Sequence, residues 1–193
     1  ASEHTQTAAF LTKCCQILID AEVDLNRLDA KSGDGDTGST LAGAARALIG
    51  ALDRLPLADH TQLLRAIGQE LSQTMGGSSG VLLAIFFSAA GDAASSGRAM
   101  VAALKEGLER MQQIGGAQLG DRTMVDALKP ALDALEVKGI AEAASAARKG
   151  AIHTSTIVKA KVGRASYINA EQLEGHIDPG AEAVARLFEN LSD

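Results

Sequence analysis

Apolar residues recur at intervals of three and four along most of this chain, and the intervals predict helices. Phe10, Cys14, Ile17, Leu18, Ala21, Leu25 and Leu28 mark an amphipathic first helix. A second is expected from Ser39 to Leu52, stopping before the Leu55-Pro56 break. A third starts near Asp59 and carries Leu63, Leu64, Ile67 and Leu71 on one face. Val81 to Ala90 is almost wholly apolar, which predicts a fourth helix buried on all sides. Val101, Leu104, Leu108 and Met111 mark a fifth, and Thr123 to Leu135 a sixth that Pro130 should kink or divide. Ile140 to Lys159 forms a long alanine-rich seventh. The last opens at Asp178-Pro179, an N-cap followed by proline at the first helical position, and buries Val184, Leu187, Phe188 and Leu191. Thr154 to Val158 is β-branched but has no strand partner in the pattern. The expectation is one all-α domain of eight helices spanning residues 1–193, with no repeat and no linker long enough to divide it.

Composition sharpens this picture in three ways. Hydrophobic residues make up 46% of the 193 positions but aromatics only 3%, so alanine and leucine must fill the core, as suits closely packed helices. The net charge of −6 argues against a general nucleic-acid binder but not against a nucleotide, whose phosphates Mg2+ neutralises locally. No uninterrupted apolar run approaches the ~18 residues of a membrane span. The start, Ala1-Ser-Glu-His-Thr5, has neither the basic nor the apolar region of a secretory signal. Cys14 and Cys15 are adjacent, a poor disulfide pair and not a metal-site spacing, and read as reduced packing residues. A cytoplasmic location is expected.

The chemistry concentrates in Lys31-Ser-Gly-Asp-Gly-Asp-Thr-Gly-Ser-Thr40, with Asp29 just ahead of it. Asp29, Asp34 and Asp36 are spaced D-x4-D-x-D, a hard-oxygen set that suits Mg2+. Thr37, Gly38, Ser39 and Thr40 fall where a helix begins, and their hydroxyls and N–H groups would attract phosphate. Met75-Gly-Gly-Ser-Ser-Gly80 offers a second cradle through its amides and the Ser78 and Ser79 hydroxyls. Gly115-Gly116 with Gly120-Asp-Arg-Thr-Met124, Gly163-Arg-Ala-Ser-Tyr167 and Asp178-Pro-Gly180 add further glycine-rich approaches. Asp34 and Asp36 also suit turn and cap positions, and Asp121 a helix cap. His153 and His176 read as hydrogen-bonded structural residues, and Ser78 and Ser79 lack the partners of a serine nucleophile. Neither a Walker A sequence nor GxGxxG is present.

Taken in order, Gly-Asp-Gly-Asp-Thr-Gly after Asp29, Gly-Gly-Ser-Ser-Gly, Gly-Asp-Arg-Thr-Met-Val-Asp, Gly-Arg-Ala-Ser-Tyr and Asp-Pro-Gly-Ala resemble the nucleotide-binding domain of dihydroxyacetone kinases across the whole chain. That unit is the C-terminal domain of the ATP-dependent enzymes and a separate L subunit in phosphotransferase-linked systems. The resemblance implies an antiparallel eight-helix barrel with the nucleotide at one end. It also implies that Asp29, Asp34 and Asp36 hold Mg2+ and that Thr37, Gly38, Ser39, Thr40, Ser78 and Ser79 bind phosphate. Gly115, Thr123, Met124, Arg164, Asp178, Pro179 and Gly180 match positions around the rest of the ATP or ADP. Dihydroxyacetone is held in the family by a different, K-type domain, so the chain is expected to need that ketose-binding partner for phosphoryl transfer.

Phosphotransferase-linked L subunits, which retain ADP, tend to carry His where this chain has Thr37; the Asp-Thr-Gly-Ser-Thr reading resembles the ATP-dependent branch. Two other classes stay open at the level of sequence. The ATP-binding domain of fatty-acid kinases shares the Asp-Gly-Asp-Thr-Gly run but fits the later motifs less well. A non-catalytic nucleotide sensor would carry the same residues.

Overall fold

The periodicity through Leu28 is continuous, yet the backbone is not. A computed structural model describes residues 2–158 and 170–193, and in it the first expected helix is two: α1 (Glu3–Asp20) and α2 (Glu22–Asp29), separated by a turn at Ala21. No glycine or proline marks the break. Ala21 at the break and Leu25 beyond it are both buried, so the apolar stripe carries through.

The remaining described elements are α3 (Thr37–Gly50), a single 3-10 turn at Leu52–Arg54, α4 (His60–Thr74), α5 (Gly77–Ser95), α6 (Met100–Gly115), α7 (Val125–Lys138), α8 (Ile140–Thr154), the four-residue α9 (Ala170–Leu173) and α10 (Pro179–Leu191). All regular structure among the described residues is helical, with ten α-helices where eight were expected. The extra two come from the break at Ala21 and from α9. Arg164 and the Gly163–Tyr167 motif lie outside the described residues, as does the expected helix end at Lys159.

Two local signals that need only neighbouring residues hold. Asp59 caps α4, its carboxylate accepting the Gln62 N–H at 3.0 Å. Asp178 caps α10 through the Ala181 N–H at 2.9 Å, with Pro179 at the first helical position.

Two compact units make up the chain, Ala1–Ile19 with Thr40–Gly115, and Asp20–Ser39 with Gly116–Asp193. In the first, Cys15, Ala44, Leu48, Leu55, Leu57, Leu63, Ile67, Leu71 and Met75 form the core, with Leu11, Leu18, Leu83 and Phe87 packed on it. Each large aliphatic side chain buried this way contributes about 1.5–3 kcal/mol. Helix α5 lies against both α4 and α6. It is not buried on all sides, because Val81 is 58% exposed and Leu82 to Ile85 are only half-buried. An apolar composition cannot say how many neighbours a helix has. By length and hydropathy α5 is also the one described helix able to cross a membrane, although no unbroken apolar run suggested it.

The second unit packs α7, α8 and α10 on one another through small residues: Ala127, Ala131, Ala143, Ala147, Ala151, Ala181 and Ala185 are all fully buried. Pro130 sits inside α7 without dividing it. A proline there leaves the Asp126 carbonyl without its helical donor. Gly150 of α8 comes so close that a Cβ on it would fall on that same oxygen.

Candidate functional site

Helix α2 is two turns long, and Glu22, Asn26 and Asp29 share one of its sides at i, i+4 and i+7. That side meets the start of α3. Asp29 Oδ2 accepts the Asp36 and Thr37 N–H groups at 2.9 and 3.0 Å. The Ser39 N–H donates to Asn26 Oδ1, and Asn26 Nδ2 donates to Ser39 Oγ, each at 2.9 Å. Between these bonds Gly38 is buried, and a Cβ there would fall on the Glu22 carbonyl oxygen and lie 2.7 Å from Asn26 Oδ1.

The start of α3 therefore differs from the open helix terminus expected from the sequence. The Thr37 and Ser39 N–H groups already bond side chains of α2, and the exposed Ser39 hydroxyl is what this turn presents outward. Asn26 stands in no motif. Its one sequence signal is an i, i+3 spacing from Asp29, which says nothing of α3.

Asp34 and Asp36 are exposed, whereas Asp29 is buried. Among the described residues no three His, Cys, Asp or Glu side chains are grouped closely enough to hold a metal. The residues nevertheless fit Mg2+ in kind. All three are hard carboxylates, and Asp29 Oδ1 stands beside Gly33, where a Cβ would crowd it to 2.6 Å.

In the first unit, α5 begins at a turn with Gly76 at its N-cap and no side chain capping it. Gly77 takes φ +68°, a conformation open to glycine, and Ser78 and Ser79 are exposed on the first turn. Uncapped N–H groups beside two hydroxyls are suited to an anion. Gly115, the last residue of α6, packs on Leu82 of α5, where a Cβ would come within 2.9 Å of Leu82 Cδ2. The structure thus brings two separate sequence motifs, Ser78-Ser79 and Gly115, to one end of the α5–α6 pair. Val81 and Ile114 expose apolar side chains on those same two helices.

In the second unit the Gly120–Asp126 motif is a self-braced loop. Asp126 accepts the Gly120 N–H at 2.7 Å and the Thr123 N–H at 3.0 Å, and Asp121 accepts the Gln118 N–H at 2.9 Å. These buried carboxylates hold backbone; Asp121 does not cap α7, which has no side-chain cap. Arg122 carries a positive φ of 63° and is wholly buried, an unusual place for a guanidinium. Its Nη2 donates to the His176 carbonyl at 2.6 Å, and its Nη1 lies 3.7 Å from Asp178 Oδ1. Gly180 approaches the same loop, with its would-be Cβ 3.3 Å from Met124 Cβ. Thr123 and Met124 are thereby joined to the Asp178–Gly180 turn. Burial pushes the Asp178 carboxyl up to about 6, with the Ala181 N–H and Arg122 opposing the rise. His153 is exposed in the last turn of α8, and its carbonyl accepts from Thr156 Oγ1.

One arrangement has no sequence signature beyond the i, i+4 spacing of Glu182 and Arg186. Arg148 of α8 makes paired hydrogen bonds to Glu182 of α10 at 2.7 and 2.9 Å and to Glu189 at 2.7 and 3.0 Å. Arg186 bridges Glu182 at 2.9 Å and Asp24 of α2 at 2.8 Å. The network ties α10, whose N-cap is Asp178, to the helix that carries Asn26 and Asp29.

The regular structure of the described residues is helical, and hydroxyl side chains stand at the starts of α3 and α5. The DAK2 domain family matches residues 31–193, and the chain belongs to that family. It is 50% identical over 180 residues to the dihydroxyacetone kinase of Citrobacter freundii, covering 91% of this chain and 33% of that protein. The triokinase/FMN cyclase of Mus musculus is 39% identical over 196 residues, covering 95% and 34%. The ADP-binding subunit DhaL of the PTS-dependent dihydroxyacetone kinase of Lactococcus lactis is 30% identical over 185 residues, covering 96% and 94%. The crystal structure of the native C. freundii kinase superposes with a TM-score of 0.88 at 45% identity, covering all of this chain and 34% of that one. The same kinase in complex with AMP-PNP and Mg2+ gives 0.84 at 43% identity, with equal coverage. The chain spans about a third of the first of these relatives and nearly all of the lactococcal subunit.

Proposed function

We propose that this chain is the nucleotide-binding part of a dihydroxyacetone kinase, presenting Mg-ATP for phosphoryl transfer to a short ketose held on a separate domain or subunit. The observation that carries the reading is the likeness, over the whole chain, to a kinase crystallised with AMP-PNP and Mg2+. The exposed hydroxyls at the starts of α3 and α5 support it. Thr37, Gly38, Ser39 and Thr40 on one helix, and Ser78 and Ser79 on the other, would hold phosphate oxygens. Gly115, Thr123, Met124, Arg164, Asp178, Pro179 and Gly180 would surround the remainder of the nucleotide. Asp29, Asp34 and Asp36 would hold Mg2+, which when bound offsets charge on the phosphoryl oxygens. The chain's own contribution is positioning: hydroxyl and amide dipoles set before the nucleotide arrives cost no reorganisation during transfer. No side chain of the set acts as a nucleophile.

The length of the relatives supports the partner. Two thirds of the C. freundii kinase lies beyond what this chain covers, enough for a ketose-binding domain. A cytoplasmic setting goes with the same reading, because Cys14 and Cys15 are both free thiols. A second reading, an ADP-retaining subunit of a phosphotransferase-linked enzyme, is supported by the 30% identity to the lactococcal ADP-binding subunit. Thr37 favours the first.

Calorimetric titration with ATP and ADP, with and without Mg2+, tests both. Exchangeable Mg-dependent ATP binding, lost in Asp34→Ala and Asp36→Ala with helix content intact, supports the kinase reading. Tightly retained ADP that ATP cannot displace supports the second reading. Absence of nucleotide binding under every condition overturns both.

A further inference from the structure

The two hydrogen bonds between Asn26 and Ser39 have a fixed sense. A backbone N–H only donates, so the Asn26 atom 2.9 Å from the Ser39 nitrogen is the carbonyl oxygen Oδ1. The amide group must then turn Nδ2 toward the Ser39 hydroxyl, also at 2.9 Å. An amide NH2 only donates, so Ser39 Oγ accepts from it and keeps its own proton for another acceptor. Ser39 is exposed, and it stands in the first turn of a helix whose positive end favours anions.

The placement of Asn26 is itself held from two sides. Gly38 leaves no room for a side chain against Glu22 and Asn26, and Asp29, one turn further along α2, bonds the Asp36 and Thr37 N–H groups. Arg186 pairs with Asp24 at 2.8 Å and anchors α2 to α10. The amide therefore cannot swing away without moving α2 from α3.

We propose that Asn26 is a positioning residue of this site: by occupying one lone pair of Ser39 Oγ it commits the serine proton to a phosphate oxygen of the nucleotide. Ser39 is thereby a hydrogen-bond donor to phosphate. This rests on the nucleotide reading above and assigns a role to a residue outside every motif of the chain.

The test is a double-mutant cycle read by calorimetric titration of the chain with Mg-ATP. Loss of one hydrogen bond to a charged group weakens binding by about 10- to 100-fold. Ser39→Ala should show that loss, and Asn26→Ala a loss of similar size. The double variant should bind no worse than Ser39→Ala alone, because Asn26 acts through the hydroxyl. A merely structural Asn26 would weaken binding by the same factor whether residue 39 is serine or alanine, and that additive result overturns the inference. So does parent-like binding by Asn26→Ala. If Asn26→Ala does not fold, Asn26→Asp replaces it. The aspartate keeps an acceptor for the Ser39 N–H, but its second oxygen draws the serine proton inward. Its effect must then be larger in the parent background than in the Ser39→Ala background, and equal effects overturn the inference. Parent-like binding by Ser39→Ala removes the donor and overturns the inference while leaving the nucleotide reading intact. A parent chain that binds no Mg-ATP removes both.

Discussion

Gly38 and Gly43 lie on the same helix, and replacing each by alanine should move stability in opposite directions. At Gly43 a Cβ would meet nothing within 4 Å. Alanine in such a helical position is worth up to about 1 kcal/mol over glycine. At Gly38 the methyl group would fall on the Glu22 carbonyl oxygen and lie 2.9 Å from the Asn26 nitrogen. Those are backbone atoms, and no rotamer change relieves the overlap, so α2 must shift. Overpacking of this kind costs about 1–3 kcal/mol. The shift also lengthens the four hydrogen bonds from Asn26 and Asp29 to the start of α3, each worth about 0.5–1.5 kcal/mol. Against a propensity gain near 1 kcal/mol, Gly38→Ala should lose about 2–4 kcal/mol net. At about 2–4 °C per kcal/mol for a chain of this size, the two variants should melt at least roughly 4 °C apart. Thermal melting followed by helical circular dichroism measures the gap, and Mg-ATP titration should find Gly38→Ala impaired and Gly43→Ala unchanged. A Gly38→Ala variant that melts at or above the parent would refute the close approach of α2 to α3.

Four other perturbations probe separate parts of the argument. Asp29→Ala should lose about 1–2 kcal/mol through its cap on α3, whereas the exposed Asp34→Ala and Asp36→Ala should stay within about 0.5 kcal/mol in urea unfolding. Glu182→Ala removes one of the two carboxylate partners of Arg148 and of Arg186, whose side chains are 27% and 32% exposed, leaves them Glu189 and Asp24, and should cost about 1–2 kcal/mol in the same assay. Burial alone would raise the Glu182 carboxyl, but Arg148 and Arg186 hold it below the ordinary 4.5, so this contribution is present above pH 4.5 and fades as pH falls further. Asp178 has the reverse sign: burial raises it from 3.8 to about 6, so the folded chain binds that proton more tightly and stability declines as pH rises between those values. The melting difference between the parent and Asp178→Asn should tilt against the parent across that window, and a flat difference would count against the burial. Burial pushes Cys14 and Cys15 up to about 11, so iodoacetamide at about pH 8 should label the folded chain far more slowly than the unfolded one; fast labelling would mean α1 is not packed as described.

Helices, their caps and the acid-and-hydroxyl run at 29–40 were legible in the sequence because each is a local property. A helical face repeats every three or four residues, a cap needs only its own first turn, and D-x4-D-x-D is read along one segment. The order of the glycine motifs resembled the dihydroxyacetone kinases, and the comparisons place the chain in the DAK2 family.

What the tertiary structure decided lies between residues far apart in the chain. Nothing near Ala21 announces a break; the turn there points α2 at the start of α3. Asn26 is ordinary in sequence and becomes a clamp only when Ser39 stands opposite it. Val81 is as apolar as Phe86, yet one is exposed and the other buried. Arg122 reads as a loop cation and is the largest fully buried side chain among the described residues, answered by His176 and Asp178 over fifty residues away. Arg186 and Asp24 are 162 positions apart. Periodicity and propensity are summed over neighbours along the chain, so they report where helices form. Which side chains face one another depends on how those helices pack, and there the electrostatics and hydrogen-bond sense of the site are set.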